Sequence, residues 1–147
     1  MNNTTVKSSP ADQEVFSVVV ADDNRSMAEL LATNMRRLGH RVLAIGWNGR
    51  EAVTLVLKHR PDLLVMDVEM PHLDGINAAR EILSQVTMPI VLSTGRSDES
   101  TVERALDLNV VSYLVKPYSP AQLRVAIQMA VAQCREVTSA VAHPTAA

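Results

Sequence analysis

Phe16-Ser17-Val18-Val19-Val20-Ala21-Asp22-Asp23 and Leu63-Leu64-Val65-Met66-Asp67 each run through apolar, strand-forming residues and stop on acid. A carboxylate at the end of a buried strand is costly unless the crevice beyond the strand needs charge, and in open α/β sheets that crevice is where ligands bind. These stretches therefore point to an α/β sheet and to the edge that carries its site. Two further runs end in the same way. Pro89-Ile90-Val91-Leu92-Ser93 reaches Thr94, and Val111-Ser112-Tyr113-Leu114-Val115 reaches Lys116. A pair of acids, a third acid, a hydroxyl and an ammonium at one sheet edge suit metal-assisted phosphoryl transfer.

Working outward, apolar runs alternate with helical patterns five times, which reads as a parallel sheet with crossover helices in a doubly wound (βα)5 unit. Strands are expected near 16–21, 41–45, 62–67, 89–94 and 111–115, and helices near 24–38, 49–59, 75–85, 98–108 and 119–138. Turn chemistry agrees. Gly39 can close the first helix with a positive φ, Asn48-Gly49 opens the second, and Pro61 stops it. Asp98 and Ser119-Pro120 read as N-caps of the last two helices. Residues 1–14 read as a flexible leader, 15–138 as the domain, and 139–147 as a disordered tail. Leu123, Ile127, Ala130, Cys134, Val137 and Val141 repeat at helical spacing. The stripe is too short for a sustained coiled coil, so it reads as a core face, with a dimer seam beyond Cys134 as the alternative.

A chain of 147 residues fits one domain with a real core, and a net charge of −2 without a Lys/Arg cluster argues against direct nucleic-acid binding. The lone Cys134 reads as a buried reduced thiol, which suits the cytoplasm. No apolar run approaches the roughly 18–20 residues that span a bilayer, so no membrane insertion is expected. His40, His59, His72 and His143 lack metal-ligand spacing and read as surface residues, His72 in the loop after Asp67. Met27, Met35, Met66 and Met88 read as packing, and Trp47 as a loop residue with no aromatic partners for a nucleic-acid platform.

The set Ala21-Asp22-Asp23, Met66-Asp67-Val68-Glu69-Met70-Pro71 with Asp74-Gly75, Ser93-Thr94-Gly95 and Tyr113-Leu114-Val115-Lys116-Pro117 resembles the receiver domain of two-component response regulators. The resemblance runs from about Ser17 to about Arg135 and implies a flavodoxin-like sheet of strand order 2-1-3-4-5. Leu123 to Val137 also loosely resembles the fifth helix and connector of regulators that carry an ANTAR antiterminator domain, although the helices of that domain are absent. The residues after Lys116 leave little room for an output domain, so the pattern is that of a single-domain receiver.

Asp67 is the candidate phosphoryl acceptor, because a carboxylate attacks phosphorus once the donor's charge is neutralised. Asp22, Asp23 and Asp67 offer hard oxygen ligands suited to Mg²⁺ or Mn²⁺. The resemblance implies that Asp23 and Asp67 bind the ion directly, Asp22 through water, and the Glu69 backbone carbonyl as a further ligand. Without metal, mutual repulsion should raise at least one carboxylate pKa. Lys116 and Thr94 are expected to meet phosphoryl oxygens. The family usually has a cis bond at the lysine–proline step, here Lys116–Pro117. It also implies a switch in which Thr94 moves toward the phosphate and Tyr113 rotates inward, altering the face of the fourth helix, fifth strand and fifth helix; a static surface aromatic is the alternative for Tyr113. Glu69 and Arg96, at positions that vary within the family, could pair across the site and limit the hydrolytic water. Alternatively they are solvated rim charges, since exposed pairs are worth about 0–1 kcal/mol.

The function implied is a phosphorylation switch fed in trans by a histidine kinase or phosphotransfer protein and read by a downstream protein, with a homodimer possible. It modifies itself and is not a turnover enzyme on an external substrate. Rival readings are a phosphorylation-independent adaptor and a phosphate sink for a kinase. An aspartyl-phosphate hydrolase ranks below both, since its Asp-x-Asp nucleophile normally lies on the first strand and Asp67 is on the third.

Overall fold

Strands buried on both faces are the mark of a parallel sheet covered on both sides, and three of the five strands here are buried along their whole length. The structure, a computed structural model, describes residues 14–95, 103, 108 and 110–142. The expected leader before residue 14, Arg96, Asp98, His143, and the expected helix at 98–108 apart from Glu103 and Leu108 lie outside the described residues. In chain order the described elements are β1 (Ser17–Ala21), α1 (Arg25–Arg37), β2 (Arg41–Gly46), α2 (Gly49–His59), β3 (Leu63–Asp67), α3 (Gly75–Leu83), β4 (Ile90–Thr94), β5 (Val111–Val115) and α4 (Pro120–Ala142). The strands pair in parallel in the order β2-β1-β3-β4-β5, as expected.

Alternation along each strand divides the core in two. Val19, Leu64, Met66, Ile90 and Leu92 pack on one face with Ile76, Ala79 and Ile82 of α3 and Val53 and Val56 of α2. Val18, Val20, Leu63, Val65 and Val91 pack on the other with Leu31 and Met35 of α1 and Leu123, Ile127 and Ala130 of α4. The first half of the α4 stripe thus faces the domain's own core, and Cys134 is a buried free thiol, as read from the sequence. Ser112 Oγ, buried on β5, donates to the Ala126 carbonyl at 2.6 Å and ties α4 to the sheet.

Side-chain caps set the helix starts. Asn24 accepts from the Met27 N–H, Asn48 from Glu51, and Asp74 from Asn77, each satisfying an amide that the helix itself leaves open. At α4, Ser119 Oγ accepts from the Gln122 N–H at 3.1 Å while Gln122 Oε1 accepts from the Ser119 N–H at 2.8 Å, a reciprocal capping box. Gly39 has φ +96°, and α2 closes with Arg60 at φ 49° directly before Pro61. One boundary differs. The last helix continues to Ala142, past the expected end at 138, so 139–142 do not belong to a disordered tail. Thr138 to Ala142 contain neither proline nor glycine, the residues that break a helix by their own chemistry.

Edge strand β2 is irregular. Val18 pairs with Val42 but Val19 pairs with Ala44, leaving Leu43 as an extra residue that faces solvent. At the opposite end of the sheet from the acids, Asp62 Oδ2 accepts from both the backbone N–H and Oγ of Ser17 at 2.9 and 3.1 Å, pinning the starts of β1 and β3 together.

His40 corrects the surface reading. It is half-buried, stacks on Phe16 with centroids 5.3 Å apart, and accepts the Phe16 N–H on Nδ1 at 3.1 Å. Burial pushes its pKa below the ordinary histidine range. The unfolded chain therefore takes up a proton more readily than the native one, so this contribution to stability is whole above about pH 6.5 and is lost as pH falls through the folded pKa. Thermal melts at about pH 7.5 and about pH 5.5 should show wild type losing more stability than His40→Gln, which can still accept the Phe16 N–H. Equal losses would mean that His40 does not titrate against the fold. Comparing the two proteins cancels the opposite contribution of the carboxylates at the other edge.

Candidate functional site

All four strand-end groups meet at the C-terminal edge of the sheet. Asp22 follows β1 and is fixed there by its N–H, which donates to the Gly46 carbonyl at 3.1 Å, and by its Oδ1, which accepts from the Asn24 N–H at 2.9 Å. Asp67 ends β3, and the Val68 N–H after it donates to the Ser93 carbonyl at 2.8 Å. The Thr94 carbonyl accepts from the Lys116 N–H at 2.7 Å, holding β4 and β5 together where their functional side chains emerge. Asp22, Asp67 and Thr94 are buried, whereas Asp23 is exposed. The Lys116–Pro117 bond is cis, in line with the family expectation.

Carboxylate oxygens of Asp22, Asp23 and Asp67 lie within 4.8 Å of one another. Lys116 Nζ reaches 3.1 Å from Asp67 Oδ1 and 3.3 Å from Asp22 Oδ2. Asp67 Oδ1 is buried, and the ammonium is its partner. The pKa of Asp67 is raised. Burial is the chief cause, Lys116 opposes it, and Asp22 and Glu69 add to it. A raised carboxylate was expected, but desolvation leads where repulsion alone was anticipated. For Lys116, burial works to lower the pKa, yet Asp67 and Asp22 outweigh it and hold the ammonium above the ordinary lysine range.

The donor set fits a hard divalent cation. It has three converging carboxylate oxygens, two of them from buried residues, and no thiolate or imidazole among the converging groups. The Glu69 side chain is exposed, with Oε1 4.0 Å from where a Cβ on Gly95 would stand. Its carboxylate therefore leans toward the turn after β4, while the proposed pair with Arg96 falls outside the described residues. Tyr113 packs inward against the α2–α3 side of the core and its hydroxyl is buried, so it is not a surface aromatic.

The site matches one known architecture over most of its length. The family model of the response regulator receiver domain covers residues 18–128. The chain belongs to the response regulator receiver family. This receiver is 43% identical over 122 residues to the transcriptional regulatory protein PdtaR of Mycobacterium tuberculosis, a match covering 83% of this chain and 60% of that protein. Among solved structures it is similar to the signal receiver domain of a modulated diguanylate cyclase from Desulfovibrio desulfuricans G20, at 30% identity and TM-score 0.75, covering 84% of this chain and 99% of that one. The Vibrio cholerae chemotaxis protein CheY4 shares the fold, at 24% identity and TM-score 0.73, covering 80% of this chain and all of that one.

Two features around the receiver's site escaped the sequence reading. Arg25 lays its guanidinium 4.4 Å from the centroid of Trp47, so the single tryptophan is a rim residue held by a cation. Tyr118 packs against the α1–α4 side of the core, and burial raises its pKa while Lys116 pulls it down. His72, by contrast, is exposed as read from the sequence, with φ 69°. The signals for those two features were present only as isolated residues, since each contact joins separate loops or layers.

Proposed function

We propose that this receiver is a phosphorylation switch in which Asp67 accepts a phosphoryl group from the phosphohistidine of a histidine kinase or phosphotransfer protein. The observation that carries this reading is the juxtaposition of three carboxylates with a lysine that bridges two of them. Asp22, Asp23, Asp67 and the Glu69 carbonyl would hold Mg²⁺ or Mn²⁺, which when bound supplies neutralisation of the phosphoryl oxygens. A carboxylate oxygen of Asp67 attacks phosphorus, an O–P bond forms, and the N–P bond to the donor imidazole breaks, the imidazole leaving with the electron pair and taking up a proton. Lys116, already poised beside Asp67, presents its ammonium to the transferred group, and Thr94 its hydroxyl.

Each chain is modified once per event, so the protein is its own substrate and not a turnover enzyme. Readout is a population shift: contacts to the phosphoryl group favour one packing of Thr94 and Tyr113 over another. The downstream partner docks on the face of β5 and α4, where Val115, Val125 and Met129 stand 46%, 51% and 51% exposed. No helix among the described residues is long and apolar enough to cross a membrane, and the free Cys134 thiol suits a reducing cytoplasm, where we place the protein.

The test is intact-mass spectrometry after incubation with acetyl phosphate and Mg²⁺. Wild type should gain about 80 Da, one phosphoryl group, and Asp67→Ala should gain nothing. No adduct on wild type with either acetyl phosphate or a phosphorylated phosphotransfer protein, with the fold intact, would replace the switch by a phosphorylation-independent adaptor. Capture of a partner by the phosphorylated form alone would separate a messenger from a phosphate sink.

A further inference from the structure

A concavity lies away from the acids, at the opposite edge of the sheet. It is a groove of about 860 Å³ between the C-terminal end of α1 and the exposed flank of α4. Its floor is apolar, with Phe16, Leu38 and Val131, and its rims are cationic, with Arg37 on the α1 side and Arg124 and Arg135 on the α4 side. Glu14 is the one acid that lines it, in a chain whose net charge is −2, so the groove carries the opposite sign from the molecule.

Arg124 and Arg135 are three helical turns apart, about 16 Å at 1.5 Å per residue. A single small anion cannot meet both. A helix laid along the groove can, with an apolar stripe on the floor and acids toward the rims. The molecule already shows how such an acid sits: Glu14 Oε2 accepts from Arg135 Nη2 at 2.6 Å. Among the described residues Arg37 and Arg124 form no ion pair, so two of the three guanidinium groups remain open to an incoming carboxylate. The same argument disfavours a second copy of this chain as the occupant, because a symmetric contact would set these arginines against themselves.

We propose that this basal groove docks an acidic amphipathic helix of a partner protein, at the sheet edge opposite the phosphorylation site. The surface is separate from the β5–α4 face and does not depend on Asp67.

The test uses fluorescence anisotropy with a fluorescein-labelled peptide designed to form three helical turns, with leucines on one face flanked by glutamates, and a counterpart with lysines in place of the glutamates. Wild-type protein should bind the glutamate peptide and not the lysine peptide, and added salt should weaken the complex. Arg37→Glu/Arg124→Glu should reduce affinity about ten-fold or more, with circular dichroism and acetyl-phosphate labelling unchanged. Glu14→Gln, which frees Arg135, should tighten binding. Equal binding of both peptides, no binding of either, or no effect of the charge reversals would overturn the proposal. Sedimentation showing wild type self-associating, and Arg37→Glu/Arg124→Glu dispersing it, would assign the groove to a second copy and overturn it as well.

Discussion

Replacing Lys116 with methionine is expected to destabilise the metal-free protein and to strengthen its hold on Mg²⁺. The ammonium, 22% exposed, lies within 3.3 Å of two carboxylates whose side chains are 7% and 5% exposed. Removing one partner from a buried ion pair costs about 3–5 kcal/mol. Part of that is recovered here, because Asp67, whose pKa is already raised, can take a proton once Lys116 no longer opposes it. A net loss near the low end, about 3 kcal/mol, corresponds to a fall in Tm of about 6–12 °C for a chain of this size. Saturating Mg²⁺ should return most of it, since a divalent ion replaces the missing charge and then binds without competing against the ammonium. Calorimetric titration should show the affinity rising about ten-fold, the equivalent of about 1.4 kcal/mol. Unchanged Tm and unchanged affinity would mean that the lysine is a solvated charge.

Gly75→Ala should cause the second large loss, at a position with no chemistry of its own. Gly75 opens α3, and its N–H donates to the Val68 carbonyl at 2.7 Å. A Cβ there would stand 2.9 Å from Val68 Cα and collide with the carbonyl oxygen of Asp67, so the helix start or the acceptor's own backbone has to give way. Neither is the far end of a flexible side chain. Overpacking of this kind costs about 1–3 kcal/mol, or about 2–12 °C in Tm. Because the clash is with the residue proposed to carry the phosphoryl group, acetyl-phosphate labelling should slow as well. Gly39→Ala serves as the comparison: nothing lies within 4 Å of its added Cβ, so any cost comes from its positive φ alone, and labelling should stay at the wild-type rate. Matching effects on labelling in both variants would sever the link between the α3 start and Asp67.

The strand ends were readable because each joins a local pattern to a single odd residue. An apolar run that closes on Asp67 or Lys116 declares both its element and its site, and caps such as Asn48 and Ser119 act within three residues of themselves. His40 was misread because its partner is 24 positions away, and nothing in the residues around it marks an imidazole that accepts a backbone amide. The Arg25–Trp47 stack has the same cause, as does the basal groove, which gathers side chains from the segment before β1, the end of α1 and α4. The end of the last helix was placed too early for a different reason. The small residues from 139 and Pro144 argue together for a disordered tail, although of these only the proline ends a helix by its own chemistry.

Crowding poses a separate question for a sheet with two open sides. The outermost strand at the β2 edge would ordinarily invite a neighbouring chain to lay down another strand, the first step toward aggregation. The extra residue at Leu43 breaks the even spacing of amides and carbonyls along that margin, so an incoming strand finds no straight ladder to extend. Deleting Leu43 to restore the even spacing should convert a blunted margin into a sticky one, read as light scattering that rises with protein concentration more steeply than for wild type.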